Sequence, residues 1–367
     1  MIQPNKKKIC ILAGIYPPDI GGPSVYSKRL AKELDAPVIS YSGRLRKIPR
    51  GFRHVLYFLA VLKLARSCDI LYAQTLFSAG MPGLIAAKIF RKKLVVKITG
   101  DHAWERFNKG ESMEEFQSKK YGWQIEFVKK MQAHLLKRAS KIIAPSQYLK
   151  RIIFGWGVPS QKIEVVYNAA VTLPDLTISK EEIQKKIGVD GDIILSVGRL
   201  MSWKGFDMLI ELMPDLLKEN HNFRLLIVGE GPEKENLKTQ ISNLKLENKI
   251  KLTDKVDHSQ MYLYFGAADL FVLNTGYEGL SHVILEAMQS GLPIITTNIG
   301  GNPELIENGD NGILVDRNNK EQMKEAILRL TKNKDLQEKF RQSSKEKLTV
   351  FTWQNTMNNT LEILFSL

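Results

Sequence analysis

Along the first half of the chain, short unbroken apolar runs alternate with segments whose apolar residues recur every three or four positions. Lys8 to Gly14, Val38 to Ser40, Ile70 to Ala73, Leu94 to Thr99 and Lys141 to Ala144 are short apolar runs closed by turn residues, and they predict strands. Ser24 to Leu34 has helical spacing, with Ser24 placed to cap it. The second half repeats this grammar, with strands predicted at Ile193 to Val197, Arg224 to Val228, Leu270 to Leu273 and Pro293 to Thr296. Strands that are apolar throughout, rather than at alternate positions, belong to parallel sheets covered on both faces. The pattern therefore predicts an α/β protein made of two doubly wound units. Asn168 to Ser179, with Pro174 and little periodicity, reads as the linker. The expected domains are 1–170 and 171–351. Periodicity alone does not assign the amphipathic stretch from Phe351 onward; a helix over about 352–367 is expected to pack back onto the first domain.

The length of 367 residues is comfortable for two cores, and 44% hydrophobic with 25% charged residues is an ordinary globular balance. Lys6 to Lys8 before Ile9 to Ile15 mimics a signal peptide, but the run is short, stops at Pro17-Pro18 and lacks a small-residue cleavage pattern. No stretch approaches the roughly 20 apolar residues of a spanning helix. The two cysteines, Cys10 in a predicted strand and Cys68 after a basic helix, have no metal-ligand spacing. A reduced, cytoplasmic setting is the simplest expectation.

Charge changes the picture more. The chain carries a net +14, yet residues 1–170 hold 30 Lys and Arg against 11 Asp and Glu, whereas the remainder holds 23 against 28. A basic first half opposite a mildly acidic second half fits an anionic partner: a membrane surface, nucleic acid or a phosphorylated substrate. A merely solvated surface is the plainer alternative. Gly43 to Ala65 concentrates Arg44, Arg46, Lys47, Arg50 and Arg53 ahead of the apolar run Val55 to Leu62. Such a segment either lies on an anionic membrane or packs under the sheet, and packing is the favoured reading.

Four segments could carry chemistry. In Asn274 to Met288, NTGYEGLSHVILEAM, a strand ends, a loop with Gly276 and Gly279 follows, and a helix begins near Ser281. A helix start presents free N–H groups and a positive dipole end to an anion. Helical side chains lean toward the N-terminus, so Glu286 could reach back to a group bound there, while Glu278 sits in the loop itself. In Ser196 to Asp207, SVGRLMSWKGFD, Arg199 and Lys204 follow a strand end, where open α/β sheets bind ligands; a fork and a point charge suit a diphosphate. In Tyr16 to Tyr26, YPPDIGGPSVY, Gly21-Gly22 precedes a helix, although such a pair is more often only a turn. In Lys97 to Arg106, KITGDHAWER, Asp101 and His102 come directly after a strand; either could position a proton, and both are common caps.

In this order, these segments resemble the retaining glycosyltransferases of family GT4, with the GT-B fold. The matching pieces are Gly21-Gly22, GRLMSWKGFD, LLIVGEGP at Leu225 to Pro232, and ADLFVLNTGYEGLSHVILEAMQSGLPII with its EX7E pair Glu278 and Glu286. GGNPELI, NGILV and the linker-like YNAAV fit as well. The likeness covers nearly the whole chain and is stronger in the second half. It implies two Rossmann-like domains facing a central cleft, a nucleoside-diphosphate sugar as donor, and no metal or other cofactor. Arg199 and Lys204 would hold the donor diphosphate. Glu286 would bind the ribose hydroxyls. Glu278 with the backbone of Gly279, Leu280, Ser281 and His282 would hold the sugar and phosphate. Gly21-Gly22 would close on the diphosphate, and Asp101, or alternatively His102, would stand near the transferred sugar. Ser281-His282 and the NAA of the linker depart from the family's usual residues.

The implied activity is transfer of a hexose-type sugar to a glycan or lipid-linked glycan acceptor in bacterial-type cell-surface polysaccharide or glycolipid synthesis, at the inner face of the plasma membrane if peripheral. A basic nucleic-acid-binding protein shares the charge asymmetry, but no nucleic-acid module or aromatic-basic stripe appears. A silent nucleotide-sugar sensor would not need the intact set of four charged residues. A phosphorylase would be longer and would show a pyridoxal lysine context.

Overall fold

The computed structural model describes residues 7–17, 22–43, 45, 48–108, 110–171, 173–174 and 176–367, less the side chains of residues 22, 23, 25 and 50. Gly21, Arg44, Arg46 and Lys47, singled out above, lie outside the described residues. The chain divides into two units, Met1–Tyr167 with Gln354–Leu367, and Asn168–Trp353.

The first unit runs β1 (Ile9–Ala13), α1 (Gly22–Leu34), β2 (Val38–Ser40), α2 (Arg50–Ala65), β3 (Ile70–Ala73), α3 (Met81–Ile89), β4 (Lys93–Lys97), α4 (His102–Phe107), α5 (Met113–Ser118), α6 (Trp123–Arg138), β5 (Lys141–Ala144), α7 (Gln147–Gly155) and β6 (Ile163–Val165). Its strands form one parallel sheet in the order β2-β1-β3-β4-β5-β6. Every residue of β1 and β3 is buried, as two covered faces require. Ser24 is not the cap expected from its spacing: α1 already begins at Gly22 and Ser24 is a buried residue inside it.

Cys10 and Cys68 are not the two reduced thiols expected from the sequence. They are joined as a disulfide, their Cα atoms 6.0 Å apart, within the range that bond needs. Parallel pairing of Ile9 with Ile70 and Cys10 with Leu71 explains it, because the residues just before β3 are thereby carried alongside β1. A separation of 58 residues hides this proximity in the sequence.

The second unit runs α8 (Lys180–Ile187), β7 (Asp192–Val197), α9 (Phe206–Glu219), β8 (Phe223–Val228), α10 (Lys234–Asn243), β9 (Ile250–Thr253), α11 (Met261–Ala267), β10 (Leu270–Leu273), α12 (His282–Gln289), β11 (Ile294–Thr297), α13 (Asn302–Leu305), β12 (Ile313–Val315), α14 (Lys320–Lys332) and α15 (Lys334–Lys347). Its parallel sheet has the order β12-β11-β10-β7-β8-β9. Helix α9 shows why these segments fold as they do. Phe206, Leu209, Ile210, Met213 and Leu216 follow helical spacing and all enter the core formed with β8, β10 and α14. Each such side chain contributes about 1.5–3 kcal/mol on burial. The last helix, α16 (Trp353–Phe365), returns to the first unit, where Thr356 Oγ1 donates to the Tyr167 carbonyl at 2.9 Å and Lys7 Nζ to that of Phe365 at 3.0 Å. Both sheets are the doubly wound parallel layers that the apolar pattern predicts. Among the described residues, no helix is long and apolar enough to cross a membrane.

Candidate functional site

Strand order fixes where ligands can approach each sheet. In the second unit the chain runs outward from β7 to β8 and β9, then returns to β10 beside β7 and continues the other way. The connections after β7 and β10 diverge from that point, leaving a crevice at the carboxyl ends of the strands. These connections are the segments carrying Arg199, Lys204 and Glu278.

One backbone contact pins the two loops together, and the Asn274 side chain ties them to Asn318 after β12. The Gly276 N–H donates to the Trp203 carbonyl at 2.6 Å, and Asn274 Nδ2 to Asn318 Oδ1 at 2.8 Å, while the Asn318 N–H returns to Asn274 Oδ1 at 3.0 Å. Gly205, with φ +63°, leads into α9 so close to this loop that a Cβ there would lie 2.2 Å from the Asn274 carbonyl oxygen. Only glycine fits both the left-handed conformation and the space. The result is an ion pair between Lys204 Nζ and Glu278 Oε1, whose side chains are only 15% and 13% exposed. Arg199 stands exposed just beyond the end of β7. A residue without a motif joins them: the Arg317 guanidinium lies against the loop, 2.5 Å from where a Cβ on Gly276 would be, and its Nε is buried without a hydrogen-bond partner.

Beyond Glu278 the chain is held by a second glycine contact. Gly300, at φ +64°, packs on the Glu278 carbonyl oxygen, 2.3 Å from a Cβ built there, and the Gly301 N–H donates to that oxygen at 2.9 Å. Gly279, Leu280 and Ser281 are buried, and His282 opens α12. Ser281 occupies the cap position without making a capping bond, and its hydroxyl is buried without a partner. A helix start with an unused hydroxyl is prepared for an anion or a sugar oxygen. Glu286, one turn inside α12 and 5% exposed, bonds His258 Nε2 through Oε1 at 2.9 Å. That bond holds the His258 pKa above the usual histidine value, against the opposing effect of burial. His258 escaped the sequence reading because nothing around it marks more than a turn capped by Asp257.

In the first unit the equivalent crevice lies between β1 and β3, and Gly22 opens α1 after β1. The choice between Asp101 and His102 is sharpened by burial. Asp101 is fully buried and caps α4: Oδ1 accepts from the N–H groups of Ala103 at 3.0 Å and Trp104 at 3.1 Å and from Gln132 Nε2 at 3.0 Å, while Oδ2 accepts from Gln117 Nε2. Burial raises its pKa, and these hydrogen bonds pull the other way. No oxygen of Asp101 faces solvent. His102, next along, is half-buried, with its ring edge-on to Phe77 at 4.9 Å between centroids. Burial and then Arg106 lower its pKa, while Asp101 opposes them, which favours the neutral imidazole. Among the described residues, no group of three or more His, Cys, Asp or Glu is arranged to hold a metal ion.

The chain has counterparts among known proteins. The family model for glycosyl transferases group 1 matches residues 179–347, and that for glycosyltransferase family 4 matches residues 20–172. An uncharacterized glycosyltransferase of Haemophilus influenzae is 33% identical over 168 residues, 46% of each chain. One of Methanocaldococcus jannaschii is 29% identical over 231 residues, 61% of this chain and 59% of its own. The chain thus spans about half to three fifths of these relatives' own length. The crystal structure of Anabaena HepE in complex with UDP-glucose shares the fold, with a TM-score of 0.78 at 21% identity, covering 99% of this chain and 100% of that one.

Proposed function

Because the chain belongs to the group 1 glycosyltransferases, we propose that it moves a hexose-type sugar, with retention of configuration, from a nucleoside-diphosphate sugar to a glycan or lipid-linked glycan of a cell-surface polysaccharide or glycolipid. The observation that carries this reading is the Lys204–Glu278 pair at the second sheet's crevice, beside a helix start with a buried, unpartnered Ser281 hydroxyl. A diphosphate seated there meets Lys204, Arg199 and the first N–H groups of α12, and the pair opens as the ammonium turns to phosphate. Glu278, thus released, accepts from hydroxyls of the sugar, and Glu286 from those of the ribose, with His258 fixing its carboxylate.

Breaking the bond between the anomeric carbon and the phosphate oxygen places charge on the departing diphosphate. Fixed cations and a helix end stabilise that charge without reorganising, which is where most of the rate enhancement arises. This work at the leaving group is what a metal would otherwise do, and the proposed reaction uses none. The proposed reaction has no covalent carboxylate nucleophile: Asp101 is saturated by its own hydrogen bonds, and Glu278, once released from Lys204, is engaged by the sugar hydroxyls. We therefore propose that the acceptor oxygen bonds to the anomeric carbon on the face the diphosphate leaves, and that its proton passes to a diphosphate oxygen. On the first unit, Asp101 acts as a positioning residue for the start of α4, and His102 supplies a neutral imidazole to the transferred sugar.

The anchoring test is thermal. At about a hundredfold excess over Kd, a bound nucleotide sugar should raise the melting temperature by about 5 °C. UDP-, GDP- and ADP-sugars should be compared; HepE holds UDP-glucose, which puts UDP first. One base should stabilise the wild type, and the shift should vanish in Lys204→Ala. No shift with any nucleoside diphosphate at millimolar concentration would sink the donor assignment.

A further inference from the structure

Helix α2 is apolar on two sides, whereas a surface helix needs only one. Tyr57, Val61 and Ala65 are buried beneath it. Phe52, Val55, Leu56 and Leu59 form a second stripe at helical spacing, and they are exposed, Phe52 to 73%. The packing under the sheet expected for Val55 to Leu62 therefore accounts for only one side of the helix. Helix α3, packed beside α2, adds exposed Ile85 and Ile89, and α6, packed on α3, adds Trp123, 77% exposed, and Phe127.

Topology gathers these side chains. Strand β2 lies on the opposite side of β1 from all later strands, so right-handed crossovers put α1 on one face of the sheet and α2, α3, α6 and α7 on the other. Among the described residues, every exposed large apolar side chain of the first unit except Ile15 lies on that second face. Exposed Lys63, Arg66, Lys88, Arg91, Lys120 and Lys130 belong to the same helices and their ends. Between α6 and α7 there is also a groove of about 400 Å³ lined by Lys130, His134, Lys137 and Trp156, whose indole N–H is buried without a partner.

We propose that this face of the first unit docks on an anionic lipid bilayer, with the α2, α3 and α6 apolar side chains entering the acyl boundary and the surrounding cations meeting headgroup phosphates. Charge complementarity selects the occupant. The residues 1–170 carry a balance of +19, from 30 basic and 11 acidic residues, and exposed Lys63, Arg66, Lys88, Arg91, Lys120 and Lys130 lie on or at the ends of the helices that bear the apolar side chains. A phosphate-only ligand such as nucleic acid would account for the cations but not for Phe52, Leu59 or Trp123. Membrane docking does not depend on the sugar-transfer reading, and it is measured with neither donor nor acceptor present.

The test is flotation of the full chain with vesicles of phosphatidylcholine alone or with about a third phosphatidylglycerol, at low and high salt. Wild type should float with the anionic vesicles at low salt, and its partition coefficient should fall about fivefold or more on raising the salt or omitting the anionic lipid. Val55→Glu/Leu59→Glu, at exposed positions that leave the core intact, should keep the wild-type melting temperature and lose at least about tenfold in partitioning. The proposal is overturned if wild type stays unbound at low salt, or if the double variant floats equally well. It is also overturned if wild type ignores vesicles but sediments as a dimer that the double variant abolishes, since a second copy would then cover the face.

Discussion

Lys204→Ala is the perturbation that bears most directly on the proposed chemistry. The ammonium is only 15% exposed and its partner Glu278 only 13%. Because both groups keep some contact with water, the loss of stability should stay at about 1–3 kcal/mol, below that of a fully buried pair. The catalytic loss should be larger. A fixed donor to developing charge is worth about 3–4 kcal/mol, so kcat should fall about 10²–10³-fold. The variant also leaves Glu278 ionised beside the incoming diphosphate; at about 5 Å and an effective dielectric near 20, each unit of phosphate charge is repelled by about 3 kcal/mol. Removing that second charge should therefore help: Lys204→Ala/Glu278→Gln should recover about a hundredfold in donor KM over Lys204→Ala while kcat remains low. The assay is release of nucleoside diphosphate from the donor that stabilises wild type, with kcat and KM measured separately. A kcat within about threefold of wild type for Lys204→Ala would refute the leaving-group role.

Two further predictions concern the residues beside it. Asp101→Asn should lower stability to urea by about 2 kcal/mol, because one amide cannot accept every bond the carboxylate does, yet keep turnover within about threefold; His102→Ala should lower turnover about 10²-fold or more and leave stability nearly unchanged. The reverse pattern would exchange their roles. His258 has a folded pKa raised by Glu286, so the protonated ring favours the fold; its stabilising contribution is complete below about pH 6.5 and lost as pH rises through the folded value. Glu286→Gln should bring the His258 titration, followed by NMR, down toward the ordinary histidine value, flatten stability between neutral and mildly alkaline pH, and weaken donor binding about tenfold or more. An unchanged His258 titration would contradict the pairing.

The interior strands were legible because their neighbours cover both faces and leave an unbroken apolar signature. Ile70–Ala73, Lys141–Ala144 and Leu270–Leu273 coincide with the predicted runs, as does one half-buried edge strand, Val38–Ser40. The outer strands β6, β9 and β12 escaped, being three or four residues long and half-exposed: in Ile250–Thr253, Lys251 points to water and interrupts the pattern. Arg199, Lys204, Glu278 and Glu286 stood out because each falls just past a strand end or inside the following helix, positions that the chain order itself makes meaningful. His258 and Arg317 did not, since each reaches the crevice from a connection far away in sequence, through tertiary packing that no local spacing reports. The pairing of Cys10 with Cys68 was hidden in the same way.

The return of α16 bears on how the protein is made. Thr356, Met357, Thr360 and Leu364 are buried parts of the first unit's interior, although α16 follows the whole second unit along the chain. The amino-terminal lobe therefore emerges from the ribosome early but stays unsealed until α16 has been translated. The contiguous carboxy-terminal lobe can mature before it. A fragment ending at Tyr167 would expose the vacated seat of that helix, so an isolated amino-terminal lobe has to be expressed with the tail supplied as a fusion or a second chain.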